Sequence, residues 1–290
     1  MSSSLGEIFG KAGEIFQPLI DSISSEVIGS RYTFLDLDKY DQLSPNERMR
    51  VYWTELLYRA HWAAASNVLR HKRWINACLA LYDPNPNYIA FCAALRGLTE
   101  AAADASHSLG AVPLTLAQNY HQIITALTMK TKTITVSKKL EDMLIHFQFA
   151  RKLKKSEQFP ETHDAKHATT YIESIEPPDK PLIKPLYDHL CQVTHPAAQS
   201  LLWMSKASGD NVELSAGDDK IWIIELCRGF YKAIEWVQMQ SVNTSILVLK
   251  VLNVFPVKEI KTEIVESINM DTIPLWHKID HVLKIAPRQG

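Results

Sequence analysis

The chain has 290 residues, 46% hydrophobic and 22% charged, with seven Trp, so it can bury enough apolar surface to offset chain entropy and confines disorder to short stretches. Its 31 Lys and Arg against 32 Asp and Glu give a formal net charge of -1, which excludes a global attraction to nucleic acid or anionic lipid and leaves only local patches. Cys78, Cys92, Cys191 and Cys227 form no C-x-x-C pair, which excludes a zinc ribbon and a thioredoxin-type motif and points to reduced thiols in a cytoplasmic protein.

The chain opens with two copies of GEIF, at 6–9 and 13–16, and Ile8, Ala12, Ile15, Leu19 and Ile23 continue an apolar stripe at helical spacing. Acidic residues occupy the polar side, and no basic leader is present, so the segment reads as an amphipathic helix rather than a secretory signal or a membrane-surface helix. Intramolecular packing and a dimer seam both fit it. Residues 1–43 are expected to form this helix and a turn, and residues 44–290 a single helical bundle with an irregular insertion around 155–181.

At 44–47, SPNE has the form of a capping box: a Ser that accepts from an orphan backbone N–H, a Pro suited to the first turn, and a Glu that reaches back. A long helix, with or without a break, follows until DPNPN at 83–87 disfavours continuation. A third helix spans about 87–109, stopping at Gly110 and Pro113, and a fourth begins near Pro113. The uncharged run from Ala105 to Met129 is long enough to cross a bilayer, but His107, Asn119, His121 and Gln122 make it costly in lipid, so no transmembrane helix is predicted.

The β-branched KTKTITV at 130–136 is expected to be a short strand or an extended connection, followed by a helix that Ser137 caps and that turns Leu140, Met143, Leu144 and Phe147 inward. Helices resume near Pro181, run through Ser205, give way to a polar loop at 208–219, and continue as one long helix from about Lys220 toward Phe255. The fold class is all-α, an antiparallel multi-helix bundle with at most one short β segment.

Two helices carry the candidate site. On the third, Glu100, Asp104 and His107 lie about 40°, 80° and 20° from Arg96 on a helical wheel, one polar stripe among Phe91, Cys92, Leu95 and Leu98. Buried charge is tolerated mainly when paired, and Arg96 with Glu100 at i,i+4 is such a pair. In the later helix, Asp188 and His195 are seven apart and so about 20° apart, with Pro196 ending or kinking the helix behind the imidazole. A carboxylate or guanidinium from the third helix would then meet His195, as proton transfer near neutral pH requires. A buried network that only fixes helix register would have the same residues.

The segments LRGLTEAAADASHSL (95–109) and YDHLCQVTHP (187–196) resemble an uncharacterised bacterial family of all-helical proteins with an Arg-x-x-x-Glu helix and a later Tyr-Arg-x-Leu-Ser-x-x-x-His helix. The second motif is similar to the Arg-x(4–6)-His signature of the HEPN superfamily, helical bundles that serve as ribonucleases in toxin–antitoxin and phage-defence systems. The resemblance covers about 25 residues and implies roles for Arg96, Glu100, Tyr187 and His195. This chain departs from the pattern at the motif arginine, which is Asp188, and at the serine, which is Cys191. No arginine is followed by a histidine five to seven residues later, so Arg96 is the candidate to supply the cation from the neighbouring helix.

The implied function is a HEPN-like protein acting on or binding RNA, as a metal-independent ribonuclease if it is an enzyme. His195 would transfer the proton, Arg96 would hold phosphate, and Glu100 and Tyr187 would orient them. The alternative is a non-catalytic, oligomerising interaction protein that dimerises through the GEIF helix. RNA contact is expected through Lys130, Lys132, Lys138, Lys139, Arg151, Lys152, Lys154 and Lys155, which face only Glu141 and Asp142 in their stretch, joined by RHKR at 70–73. His163 and His167, at i,i+4, would share a metal if helical, but they follow Pro160 in irregular sequence; no metal and no cofactor is expected. Glycine-rich phosphate loops and the nucleophile elbow are absent from the sequence.

Overall fold

In the computed structural model, which describes residues 4–131, 133–196, 198–214 and 218–285, the chain is all-α apart from one two-stranded hairpin. The helices are α1 (Ser4–Val27), α2 (Leu37–Tyr40), α3 (Pro45–Ala80), α4 (Tyr88–Leu109), α5 (Val112–Gln118), α6 (Tyr120–Leu127), α7 (Lys138–Phe149), α8 (Ala168–Ser174), α9 (Ile183–Thr194), α10 (Ala198–Leu202), α11 (Asp219–Gly229), α12 (Tyr231–Leu252) and α13 (Pro274–Ile285). The hairpin pairs β1 (Ser205–Ser208) with β2 (Asn211–Leu214).

Capping chemistry sets the principal boundaries. Ser44 Oγ donates to Glu47 Oε2 at 2.6 Å, while the Ser44 N–H reaches the same carboxylate at 2.9 Å and the Glu47 N–H reaches Ser44 Oγ at 3.4 Å. This closes the capping box and opens α3, which runs 36 residues without a break. At the start of α4 the Asn87 side chain accepts from the Ala90 N–H at 2.9 Å. Ser137 caps nothing with its side chain; its N–H instead donates to the Tyr52 hydroxyl at 2.8 Å.

The chain forms two compact units, each assembled from three stretches. The first comprises Met1–Asp21, Leu69–His107 and His167–Val242, and the second Ser22–Val68, Ser108–Lys166 and Asn243–Gly290, so the expected boundary at residues 43/44 falls inside the second. In the first unit the core is carried by Phe91, Leu95 and Leu98 of α4, Leu186, Leu190 and Val193 of α9, and Ile234 and Val237 of α12. Gly97 lets α3 approach α4: a Cβ there would sit 2.5 Å from the Trp74 ring. In the second unit Trp53 and Leu57 of α3, Leu140 and Leu144 of α7, and the apolar end of α12 are buried. The strand-like stretch ILVLKVLNVF at 246–255 is helical as far as Leu252 because burial on several sides favours its apolar residues whatever their intrinsic preference.

Several expectations are corrected. In α1 the stripe is broken by Gly10, whose φ of 61° and ψ of -161° kink the helix, so Ile8, Phe9, Ala12, Ile20 and Ile23 are buried while Ile15 is exposed. The β element lies at 205–214, overlapping the polar loop expected at 208–219, and the described part of 130–136 forms no strand. Gly209, at φ 59°, is the reason: it supports a two-residue hairpin turn between Ser208 and Asn211. The expected helix from 220 to 255 is divided at Phe230 into α11 and α12. The helix expected from 181 through 205 ends at Thr194.

Candidate functional site

The site lies in the first unit, where α4 and α9 each present a polar edge on an apolar helix. Glu176 anchors the start of α9: its carboxylate accepts from the N–H groups of Leu182 at 2.7 Å, Ile183 at 3.1 Å and Lys184 at 2.5 Å, satisfying donors that a helix start leaves unpaired. Asp219 does the same for α4, accepting from the Tyr88 N–H at 2.7 Å. Past α9, Trp203 packs on the Tyr88 ring at 4.8 Å and on Trp222 at 5.5 Å, and Tyr88 shares a 2.9 Å hydrogen bond with His189. Both ends of α9 are therefore held.

Arg96, Glu100, Tyr187 and His195 come together on this frame. Arg96 Nε donates to Glu100 Oε1 at 2.9 Å, and the Tyr187 hydroxyl donates to the same oxygen at 2.8 Å. The guanidinium lies 5.7 Å from the Tyr187 ring centroid. Its Nη1 contacts Thr194 Oγ1 at 3.3 Å and His195 Nε2 at 3.2 Å. Thr194 was not anticipated; its only sequence signal is its place directly before the histidine. The cluster is open to solvent, with the Arg96 and Glu100 side chains 26% and 36% exposed and His195 exposed.

The electrostatics set the state of Arg96 and of Tyr187. Burial works against the Arg96 charge, but the hydrogen bond and charge of Glu100 outweigh it and hold its pKa above the ordinary arginine value. Burial, then Glu100, pushes the Tyr187 phenol well up, so it remains a donor. Because a guanidinium has only donors, a hydrogen bond to it requires Nε2 as the acceptor, the tautomer that carries the ring proton on Nδ1. Such a histidine has a lone pair beside a cation, the arrangement a base needs next to a developing negative charge.

The expected helical pairing of Asp188 with His195 does not form. His195 has extended backbone, φ -85° and ψ 152°, because Pro196 disfavours helical geometry in the residue before it. Its N–H still donates to Cys191 O at 2.9 Å, closing the last turn. Asp188 is exposed and makes no ion pair with Arg96 or His195. The α4 stripe divides in the same way. Asp104 pairs with Arg70 of α3 at 2.8 Å, and His107 packs edge-on against Tyr171 of α8 at 5.2 Å, leaving Arg96 and Glu100 for α9.

The expected RNA-contacting cations do not form part of this cluster; Lys130, Lys138, Lys139, Arg151, Lys152, Lys154 and Lys155 belong to the second unit. Lys132 lies outside the described residues. Arg151 is held bidentately by Glu157 at 2.9 Å, and this pair keeps the Glu157 carboxyl at about 2. Lys138 pairs with Asp142, whereas Lys130, Lys139, Lys152, Lys154 and Lys155 are exposed with no ion pair among the described residues. RHKR is not a joint basic surface, since Arg70 and Lys72 pair with Asp104 and Asp21 and His71 is buried. His163 stands in a 3₁₀ turn and His167 precedes α8, so the helical spacing their shared metal site required is absent. Among the described residues no group of three or more His, Cys, Asp or Glu is placed to hold a metal, and no helix is long and apolar enough to cross a membrane. Compared with protein-family models, curated proteins and solved structures, the chain matches none.

Proposed function

We propose that the α4–α9 cluster is a metal-independent RNA-cleaving site, a HEPN-like activity in which Arg96 takes the place of the cation that the motif carries next to Tyr187. The carrying observation is the solvent-open contact of Arg96 Nη1 with His195 Nε2 at 3.2 Å. A phosphodiester seated on Arg96 would present the adjacent ribose to His195. The phosphate draws the guanidinium off Nε2, which then accepts the 2′-hydroxyl proton; O2′ attacks phosphorus, and the P–O5′ bond breaks with O5′ taking a proton from water, giving a 2′,3′-cyclic phosphate and a 5′-hydroxyl. Arg96 stabilises the charge that gathers on the phosphoryl oxygens, and Glu100 and Tyr187 hold the guanidinium in place. A toxin or phage-defence setting is the biological context this activity would suit.

The test is incubation of total RNA with wild type, His195→Ala and Arg96→Ala at physiological and high salt. Cleavage by wild type alone, ending in cyclic phosphate, is the expected result; cleavage by all three, or by none with the fold intact, removes the reading.

An interaction protein is the second reading, favoured by the apolar side chains of Leu201, Leu202, Val212 and Leu214, each more than half exposed around the hairpin. The GEIF helix is a poorer seam for a dimer, because the chain itself buries Ile8, Phe9 and Ala12. Light scattering on wild type and a Val212→Lys, Leu214→Lys double variant separates the cases: an oligomer that the variant breaks supports this reading.

A further inference from the structure

The second unit contains a cavity of about 500 Å³ that His163 borders but that none of the sequence motifs predicts. One wall is the α3 face with Tyr52, Glu55, Leu56 and Arg59, which recur at helical spacing; the facing wall is Glu141, Ile145 and Phe149 of α7, also one turn apart. Leu35 and Leu37 close a third side. A volume of this size lies in the range of small-molecule pockets, roughly 300–1,000 Å³, and a mostly apolar lining with a few fixed polar groups is their usual character.

The polar groups are held before any ligand arrives. Glu55 Oε1 accepts from the Leu35 N–H at 2.6 Å. Arg59 Nη1 donates to Gln148 Oε1 at 3.3 Å, while Gln148 Nε2 returns a hydrogen bond to Arg59 O at 3.0 Å. The guanidinium also lies 4.7 Å from the Phe34 ring centroid and 5.7 Å from that of Phe149. Among the described residues no carboxylate forms an ion pair with Arg59, although Glu55 and Glu141 line the same cavity. Burial, with Glu141 contributing, raises the Tyr52 phenol, which therefore stays a neutral hydrogen-bonding group.

We infer that this cavity binds a small zwitterion with an apolar body, from the size of an amino acid to that of a dipeptide, its carboxylate on Arg59 and its ammonium toward Glu141 and Glu55. The presence of both signs in one cavity selects this class. A plain anion meets the Glu55 and Glu141 carboxylates, a plain cation meets the Arg59 guanidinium, and a purely apolar molecule strips water from all three. A zwitterion matches both signs while Leu56, Ile145 and Phe149 take its side chain. This pocket is independent of the RNA-cleavage reading and stands or falls without it.

The test is calorimetric titration of the full chain with L-phenylalanine and L-leucyl-L-phenylalanine, against N-acetyl-L-phenylalanine and L-phenylalanine amide. The expected result is saturable binding of at least one zwitterion, roughly tenfold or more tighter than either capped form, as for the loss of one charge-assisted contact. Arg59→Gln should erase the preference over the amide, Glu141→Gln should reduce the preference over the acetylated form, and Ile145→Trp should block binding. Absence of saturable heat at millimolar concentration, or equal binding of a capped form, overturns the proposal. Should Arg59→Gln melt early, the capped pair on wild type decides alone.

Discussion

The α4–α9 cluster and the α3–α7 cavity bring charge and apolar surface together in opposite ways. In the cluster, Arg96 has its carboxylate, Glu100, at 2.9 Å, and the arrangement faces solvent at the end of a helix. In the cavity, Arg59 has aromatic rings and a glutamine around it, no carboxylate in ion-pair range among the described residues, and apolar walls. On the two proposals, the first would act on something charged that arrives from outside, and the second would take in a small molecule. An ion pair in water contributes little by itself, whereas charged groups drawn away from water cost free energy until a partner meets them.

The sharpest way to break this comparison is His195→Ala. If the cluster is the acting site, RNA cleavage should fall by about 10²–10⁴-fold, the usual effect of losing general-base catalysis, with thermal stability within about 0.5 kcal/mol of wild type because the side chain is exposed. A variant that melts early would return His195 to a structural role.

Acid should weaken both units, through one buried histidine in each. Burial pushes His61, in the second unit, down to about 4, and burial with the nearby Arg70 charge pushes His71, in the first, down to about 3. Both are depressed below the unfolded value of about 6.5, so the unfolded chain binds protons the folded chain refuses. Stability is therefore full above pH 6.5 and falls as pH drops toward 4, by about 1.4 kcal/mol per unit for each histidine. Thermal midpoints measured from pH 7.5 to 4.5 check this, and a flat profile would mean that the two rings become protonated in the fold, with acceptors for their N–H groups.

Gly97→Ala should cost about 1–3 kcal/mol, because the added methyl meets the Trp74 ring at 2.5 Å and the two helices must separate. Since Gly97 adjoins Arg96, cleavage should fall with stability, while zwitterion binding in the other unit stays unchanged. Tyr187→Phe is milder than His195→Ala. It removes one donor to the Glu100 carboxylate and should lower cleavage by roughly tenfold or more, on the scale of one hydrogen bond to a charged group of about 1.5–3 kcal/mol. Asp188→Asn, the smallest, should leave cleavage at the wild-type rate, and a clear rise would place that carboxylate closer to the phosphate than its exposed position implies.

Several outcomes that local chemistry decides could be read from the residues alone, although the expected Ser137 cap did not form. The capping box at Ser44 and Glu47, the stop before DPNPN, and the Arg96–Glu100 pair at i,i+4 each depend on neighbours within a turn or two, and all three are in the structure as expected. Pro196 behind His195 was legible as a helix stop as well, yet the wheel that put Asp188 beside the imidazole ignored what that stop does to the residue before it. Gly10 interrupts the α1 stripe, since one non-helical residue breaks the helical period; Ile15 is exposed, while Ala12 and Ile23 remain buried.

Tertiary structure alone decided the partners. Asp104 and His107 share a stripe with Arg96, but Arg70 and Tyr171 claim them, and only the packing of α3 and α8 could determine that. The cavity was invisible because its walls are ordinary amphipathic spacings, separated by more than eighty residues, that acquire meaning only when α3 and α7 face each other. Sequence determines which side chains share a helix face, because 3.6 residues complete a turn; which faces meet is set by burial summed over distant segments, and no single stretch of chain contains that sum.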